Sequence, residues 1–134
     1  MLSKITSVII CDDVRREMSG KDILIGVYSG TINVPAYPAN FPAAFWFEIE
    51  PTQLGSLPIE IKIEPPSGNP PFQVSVSLDV HEIDTSVFVM GGVPITVERD
   101  GEIIVSAKIG SEPWSVVKRK KVRRQAFPSQ VKPQ

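Results

Sequence analysis

Two adjacent carboxylates, Asp12 and Asp13, close an apolar run that ends at Cys11. Paired carboxylates serve acid–base chemistry when one can hold a proton that the other has lost. At the end of a strand, however, neighbouring side chains point to opposite faces, so this pair cannot readily share a proton or a water. Their position favours strand termination and local capping of backbone N–H groups. Cys11 sits on the apolar run beside both negative charges, which raises a thiol pKa. It reads as a buried structural thiol and not as a nucleophile.

His81 is the one histidine, and Asp79, Glu82 and Asp84 surround it. On a continuous strand Asp79 and His81 share the outward face and offer two ligands to a cation. Zinc wants three or four, and no second histidine or cysteine cluster is present; a weak calcium site on a sandwich rim, formed by these carboxylates with Asp12 or Asp13, is the remaining option by analogy. A solvated strand face is the simpler reading, and no metal or other cofactor is expected. Trp46 lies opposite Phe45 and Phe47 in parity, so an exposed indole there would be a contact for a partner or a sugar ring. The competing expectation is that a loop, such as the proline-rich stretch 35–42, covers it.

The run KRKKVRR at residues 118–124 carries Lys118, Arg119, Lys120, Lys121, Arg123 and Arg124. Residues 1–117 hold seven basic residues against fifteen acidic ones, a net charge of −8, while 118–134 hold seven basic residues and no acid, +7. Such a run can neutralise phosphates and bind nucleic acid in a salt-sensitive way. It lacks interleaved aromatics and any base-reading module. Two other roles compete: protecting a strand edge from aggregation, and pairing with the acidic body of its own or a neighbouring chain. Both are favoured over nucleic acid.

Strands must position these groups. Lys4 to Cys11 reads as a strand, Asp22 to Tyr28 as a second paired with it across the Ser19-Gly20-Lys21 turn, and Thr31 to Val34 as a short third. Residues 13–18 fit either one helical turn or a hairpin arm. Gly26 inside the second run signals a bulge or a close approach. Period-two alternation sets Phe45, Phe47 and Ile49 on one face, then Ile59, Ile61 and Ile63, then Phe72, Val74, Val76, Leu78 and Val80. Gly91-Gly92 interrupts the run from Val87 to Met90. Asp100-Gly101 between two apolar runs predicts a type I′ hairpin turn, with positive φ at both residues.

No segment sustains a 3.6-residue period, and thirteen prolines and nine glycines suit short strands. The expected fold is all-β: an antiparallel two-sheet β-sandwich, immunoglobulin-like or C2-like, of about seven or eight strands. The expected organisation is a sandwich domain over 1–117 and a basic tail over 118–134. A single cysteine excludes an internal disulfide. No run reaches the roughly 18 apolar residues of a spanning helix, and the short N-terminal apolar run lacks a cleavage signal. A cytoplasmic protein with no membrane partner is expected.

CDDVRRE at 11–17, Gly20-Lys21, LIGVY at 24–28, Val34-Pro35 and Phe41-Pro42 resemble an uncharacterised family of small bacterial proteins, a domain of unknown function. The resemblance implies a bacterial, soluble, non-secreted protein and carries over no catalytic residue, cofactor or partner. No G-x-S-x-G, P-loop, G-x-G-x-x-G or H-E-x-x-H motif occurs, so catalysis is not expected. The expected role is a binding, structural or adaptor module acting on a protein partner or on itself. Nucleic-acid association through residues 118–124 is the alternative, followed by a rim metal- or carbohydrate-binding role.

Overall fold

A computed structural model describes residues 2–125. Its ten strands are β1 (Lys4–Cys11), β2 (Asp13–Arg16), β3 (Asp22–Ile25), β4 (Ile32–Val34), β5 (Ala39–Glu50), β6 (Gly55–Glu64), β7 (Phe72–Val80), β8 (Ser86–Val97), β9 (Gly101–Ile109) and β10 (Ser115–Arg124). No helix occurs among the described residues, so none is long and apolar enough to cross a membrane. Three sheets form: β1-β5-β8, β4-β10-β9-β6-β7, and the hairpin β2-β3. All pairings are antiparallel except that of β4 with β10.

The all-β class follows from the alternation. Phe45, Phe47, Ile49, Ile59, Ile61 and Ile63 are all fully buried, joined by Ile95, Val97, Ile103 and Val105 in one core to which both larger sheets contribute. Each such side chain is worth about 1.5–3 kcal/mol of transfer free energy. Phe47 stacks on its cross-strand partner Phe88 at 4.7 Å. On β7 the same alternation yields only half-burial of Phe72, Val74, Val76 and Leu78, because β7 lies at the edge of its sheet.

Several local expectations are corrected. The strand count is ten, not seven or eight, and residues 13–16 form a strand of their own. The N-terminal hairpin joins β2 to β3, whereas β1 pairs with β5. Gly91-Gly92 does not end a strand. Ala43 pairs with Val93 and Phe45 with Met90, so the two glycines bulge opposite Ala44, with Gly92 at φ +63°. Asp100-Gly101 is no hairpin: β8 and β9 belong to different sheets, and Gly101 is not at positive φ. It needs glycine because a Cβ there would meet Pro66 Cβ at 2.9 Å. The boundary drawn at 117/118 falls inside β10, since residues 118–122 pair with Val105 to Gly101 of β9. Residues 126–134 of the expected tail lie outside the described residues.

Candidate functional site

The end of β1 and the end of β3 cross at a polar node. The Asp12 N–H donates to the carbonyls of Ile25 and Gly26 at 2.9 and 3.1 Å, and the Tyr28 N–H donates to that of Ile10 at 3.0 Å. Gly26 is required at this crossing: its φ is +67°, and a Cβ would lie 2.2 Å from Asp12 Oδ2. The Tyr28 hydroxyl donates to Asp12 Oδ1 at 3.0 Å, and its ring tilts against Phe41 at 6.2 Å. Burial, and then the Asp12 carboxylate, push the Tyr28 phenol up to about 12. The tyrosine therefore keeps its proton near neutrality, and Asp12 serves as its acceptor. Lys120 Nζ donates to the Tyr28 carbonyl and brings β10 to the same node. Burial and the neighbouring Lys118 lower the Lys120 pKa.

Asp13 turns elsewhere. It accepts the Val14 N–H at 2.9 Å and Arg15 Nε at 2.6 Å, and the Arg15 bond holds its carboxyl below the usual range. The two aspartates thus have separate partners, as strand geometry requires. Cys11 is fully buried, and its thiol is pushed up first by burial and further by Asp12 and Asp13.

Trp46 is half-buried, and its cover differs from the expected proline-rich stretch. Its indole N–H donates to Asp22 Oδ2 at 3.1 Å, which seats the β2–β3 hairpin on the outer side of β5. His81 does not continue β7, which ends at Val80; it begins an exposed bend, so it and Asp79 do not share one strand face. No group of three or more His, Cys, Asp or Glu side chains among the described residues is placed to hold a metal.

The basic run divides by parity. Lys118 and Lys120 pair with the buried Val105 and Ile103 and share their face, as does Val122, which is itself buried opposite Gly101. Arg119, Lys121 and Arg123 take the opposite, outward face. Arg119 reaches Glu102 at 3.3 Å and Arg123 donates to Asn33 Oδ1 at 3.2 Å. β4 covers β10 only from Val122 to Arg124, so lysines line the stretch of edge left open. The Arg124 side chain is exposed, while its N–H binds Asp100 at 2.9 Å.

A further set of residues comes together only in the fold. Register within each sheet, and clefts that residues of both sheets line together, place the starts of β1, β6, β8 and β10 with the ends of β5, β7 and β9 at one end of the sheets. There Leu2, Leu54, Ile83 and Val116 are 62%, 65%, 57% and 48% exposed. Beside them a cleft of about 560 Å³ runs between β1 and β10, lined by Ile5, Ala107, Ile109 and Val117 among others. Leu2, Leu54 and Ile83 lie outside the strands and Val116 is only the second residue of β10, so no periodicity marks the rim.

Ten strands without a helix in residues 2–125 make this an all-β protein whose polar clusters bind one another. Residues 6–117 match a family of unknown function, DUF6941, and the chain belongs to that family. The match takes in β1 from its third residue through the first three residues of β10, and it stops short of the basic run. No curated protein matches the chain.

Proposed function

We propose that this chain is a non-catalytic binding or adaptor module: a β-sandwich of immunoglobulin-like or C2-like kind that engages a protein partner in the cytoplasm of a bacterial cell. The observation that carries this reading is the apolar rim of Leu2, Leu54, Ile83 and Val116 at one end of the sheets. Exposed apolar side chains gathered from four chain segments supply contact area, and interfaces draw their energy from such groups. Several of the ionisable groups that the sequence singles out have internal partners: Asp12 has Tyr28, Asp13 has Arg15, and Arg119 has Glu102. That arrangement suits scaffolding better than proton transfer. The free, buried Cys11 thiol fits a reducing compartment.

The test is cross-linking in native cells with the full chain and with a Leu54→Ser, Ile83→Ser, Val116→Ser variant that melts at the same temperature. A partner joined to the wild type and lost from the variant is the expected result. Identical cross-links for both proteins would overturn the rim as the binding surface.

A second reading, nucleic-acid association, is favoured by the outward alignment of Arg119, Lys121 and Arg123 along β10. It predicts retardation of DNA or RNA at about 50 mM salt that fades steeply as salt rises. Arg119, Lys121 and Arg123 changed together to Ala should abolish it. A wild type that shifts no nucleic acid at that salt removes this reading.

A further inference from the structure

The open strand edges of this fold are not equivalent. β1 carries Lys4 and a bulge between Ile5 and Ser7. β8 carries the Gly91-Gly92 bulge and Pro94. β10 presents Lys118 to Lys121 where β4 no longer covers it, and β4 itself is three residues long. Inward-pointing lysines, prolines, bulges and shortness are the devices by which sheets avoid pairing with other chains.

β7 has none of them. Its nine residues, FQVSVSLDV, contain no proline, glycine, lysine or arginine. Its register with β6 runs unbroken from Phe72 opposite Ile63 to Val80 opposite Gly55. Among the described residues its other edge has no strand partner. Phe72, Val74, Val76 and Leu78 stay only half-buried beside that edge.

The sequence of β7 is also complementary to itself. In an antiparallel pair centred on Val76, Phe72 faces Val80, Gln73 faces Asp79, Val74 faces Leu78 and Ser75 faces Ser77. Apolar side chains then meet apolar ones on the core face, and serines meet serines on the outer face. The one charge, Asp79, meets an amide that can donate to it, and no like charges oppose. A shift of one residue sets apolar against polar faces. A shift of two keeps the faces but shortens the pairing and leaves Val80 and Asp79 without partners on the opposing strand, or Phe72 and Gln73 when the shift is the other way.

We propose that β7 pairs antiparallel with β7 of a second copy of this chain, about a two-fold axis at Val76, so that two five-stranded sheets become one continuous sheet. Four or five residues of each strand point their N–H and C=O groups at the open edge, so the pair closes roughly eight to ten hydrogen bonds. The interface is isologous and uses up the edge, which gives a closed dimer and no filament. It meets the apolar rim only at the Val80 end of β7 and does not depend on the rim's partner.

Sedimentation velocity of the full chain across a concentration series tests this, with a dimer of about twice 14.7 kDa expected. Ser75→Lys with Ser77→Lys places lysine against lysine in the pair and should leave a monomer with an unchanged far-ultraviolet spectrum. Ser75→Glu with Ser77→Glu should do the same, and mixing the two variants should restore the dimer. For the register, Ser75→Cys mixed with Ser77→Cys should cross-link on mild oxidation, whereas neither should cross-link alone. A full chain that stays monomeric to about 100 μM would overturn the proposal, whether the edge is left free or taken by residues 126–134. A dimer that survives the lysine pair, or growth beyond dimers, would overturn it equally.

Discussion

Trp46 of β5 donates its indole N–H to the Asp22 carboxylate of β3 at 3.1 Å, and Arg16 of β2 donates Nε to the other oxygen of that carboxylate, also at 3.1 Å. One aspartate therefore closes the hairpin on itself and fastens it to the larger sheet. The indole bond is the main cause that holds the Asp22 carboxyl below its ordinary pKa, with Arg16 adding to it.

A carboxyl whose folded pKa is depressed stabilises the fold above its unfolded value and loses that contribution as pH falls through the folded one. In a Trp114→Phe background, acidification below the ordinary 3.8 should release the hairpin and shift Trp46 emission to the red. Asp22→Ala, which removes the acceptor, should show that shift already at pH 7, with a loss of about 1 kcal/mol in denaturant unfolding. Identical emission for Asp22→Ala and its parent at pH 7 would remove Asp22 as the anchor.

Gly101→Val should destabilise through contact with Pro66 and not through backbone strain. A Cβ at 2.9 Å from Pro66 Cβ forces a shift that typically costs about 1–3 kcal/mol. Pro66→Ala leaves a Cβ in place, so Pro66→Gly is the informative partner in a double-mutant cycle. The Val substitution should cost clearly less in the Pro66→Gly background. Equal costs in both backgrounds would point back to the backbone.

Lys118 and Lys121 should act as guards of the open β10 edge. Lys118→Val with Lys121→Thr leaves the Lys120 bond to Tyr28 in place while making the edge neutral and β-prone. Light scattering under agitation should show a shorter lag than the wild type. An unchanged lag would mean that the basic residues do not protect this edge.

Cys11 should react with a thiol probe only when the fold opens. It is fully buried and its thiol pKa is raised, so both access and thiolate content are low. Labelling at pH 8 should follow the global unfolding free energy as denaturant is added. Fast labelling in native buffer would show that the crossing of β1 and β3 opens locally.

Burial was readable from sequence because the pleat is local. Phe45, Phe47 and Ile49, like Ile59, Ile61 and Ile63, declare their shared face by spacing alone, and all six are fully buried. Pairing is not local, and there the reading failed. Asp100-Gly101 has the chemistry of a tight turn, yet the chain at that point passes from one sheet to another. KRKKVRR looks like a tail because its charges mask its alternation; only the neighbouring β9, with Ile103 and Val105, shows that Val122 faces the core. Within the described residues the one ion pair of the basic run is Arg119 with Glu102, and strand register, not spacing, sets it. The apolar rim was not readable, since Leu2, Leu54, Ile83 and Val116 become neighbours through strand order and not through spacing.

The parallel pairing of β4 with β10 sets an order of events during synthesis. Asn33 waits for Arg123, ninety residues downstream, before its side chain can bond and its strand can join the sheet. At ribosomal speeds that interval is about 5–20 s, far longer than the microseconds in which a hairpin forms. The β6–β7 hairpin is complete well before then, so its unguarded edge emerges on the nascent chain while the far side of its sheet is still missing. The proposed β7–β7 pair needs only residues made by then, so it can form between sibling chains on one message before β9 and β10 exist.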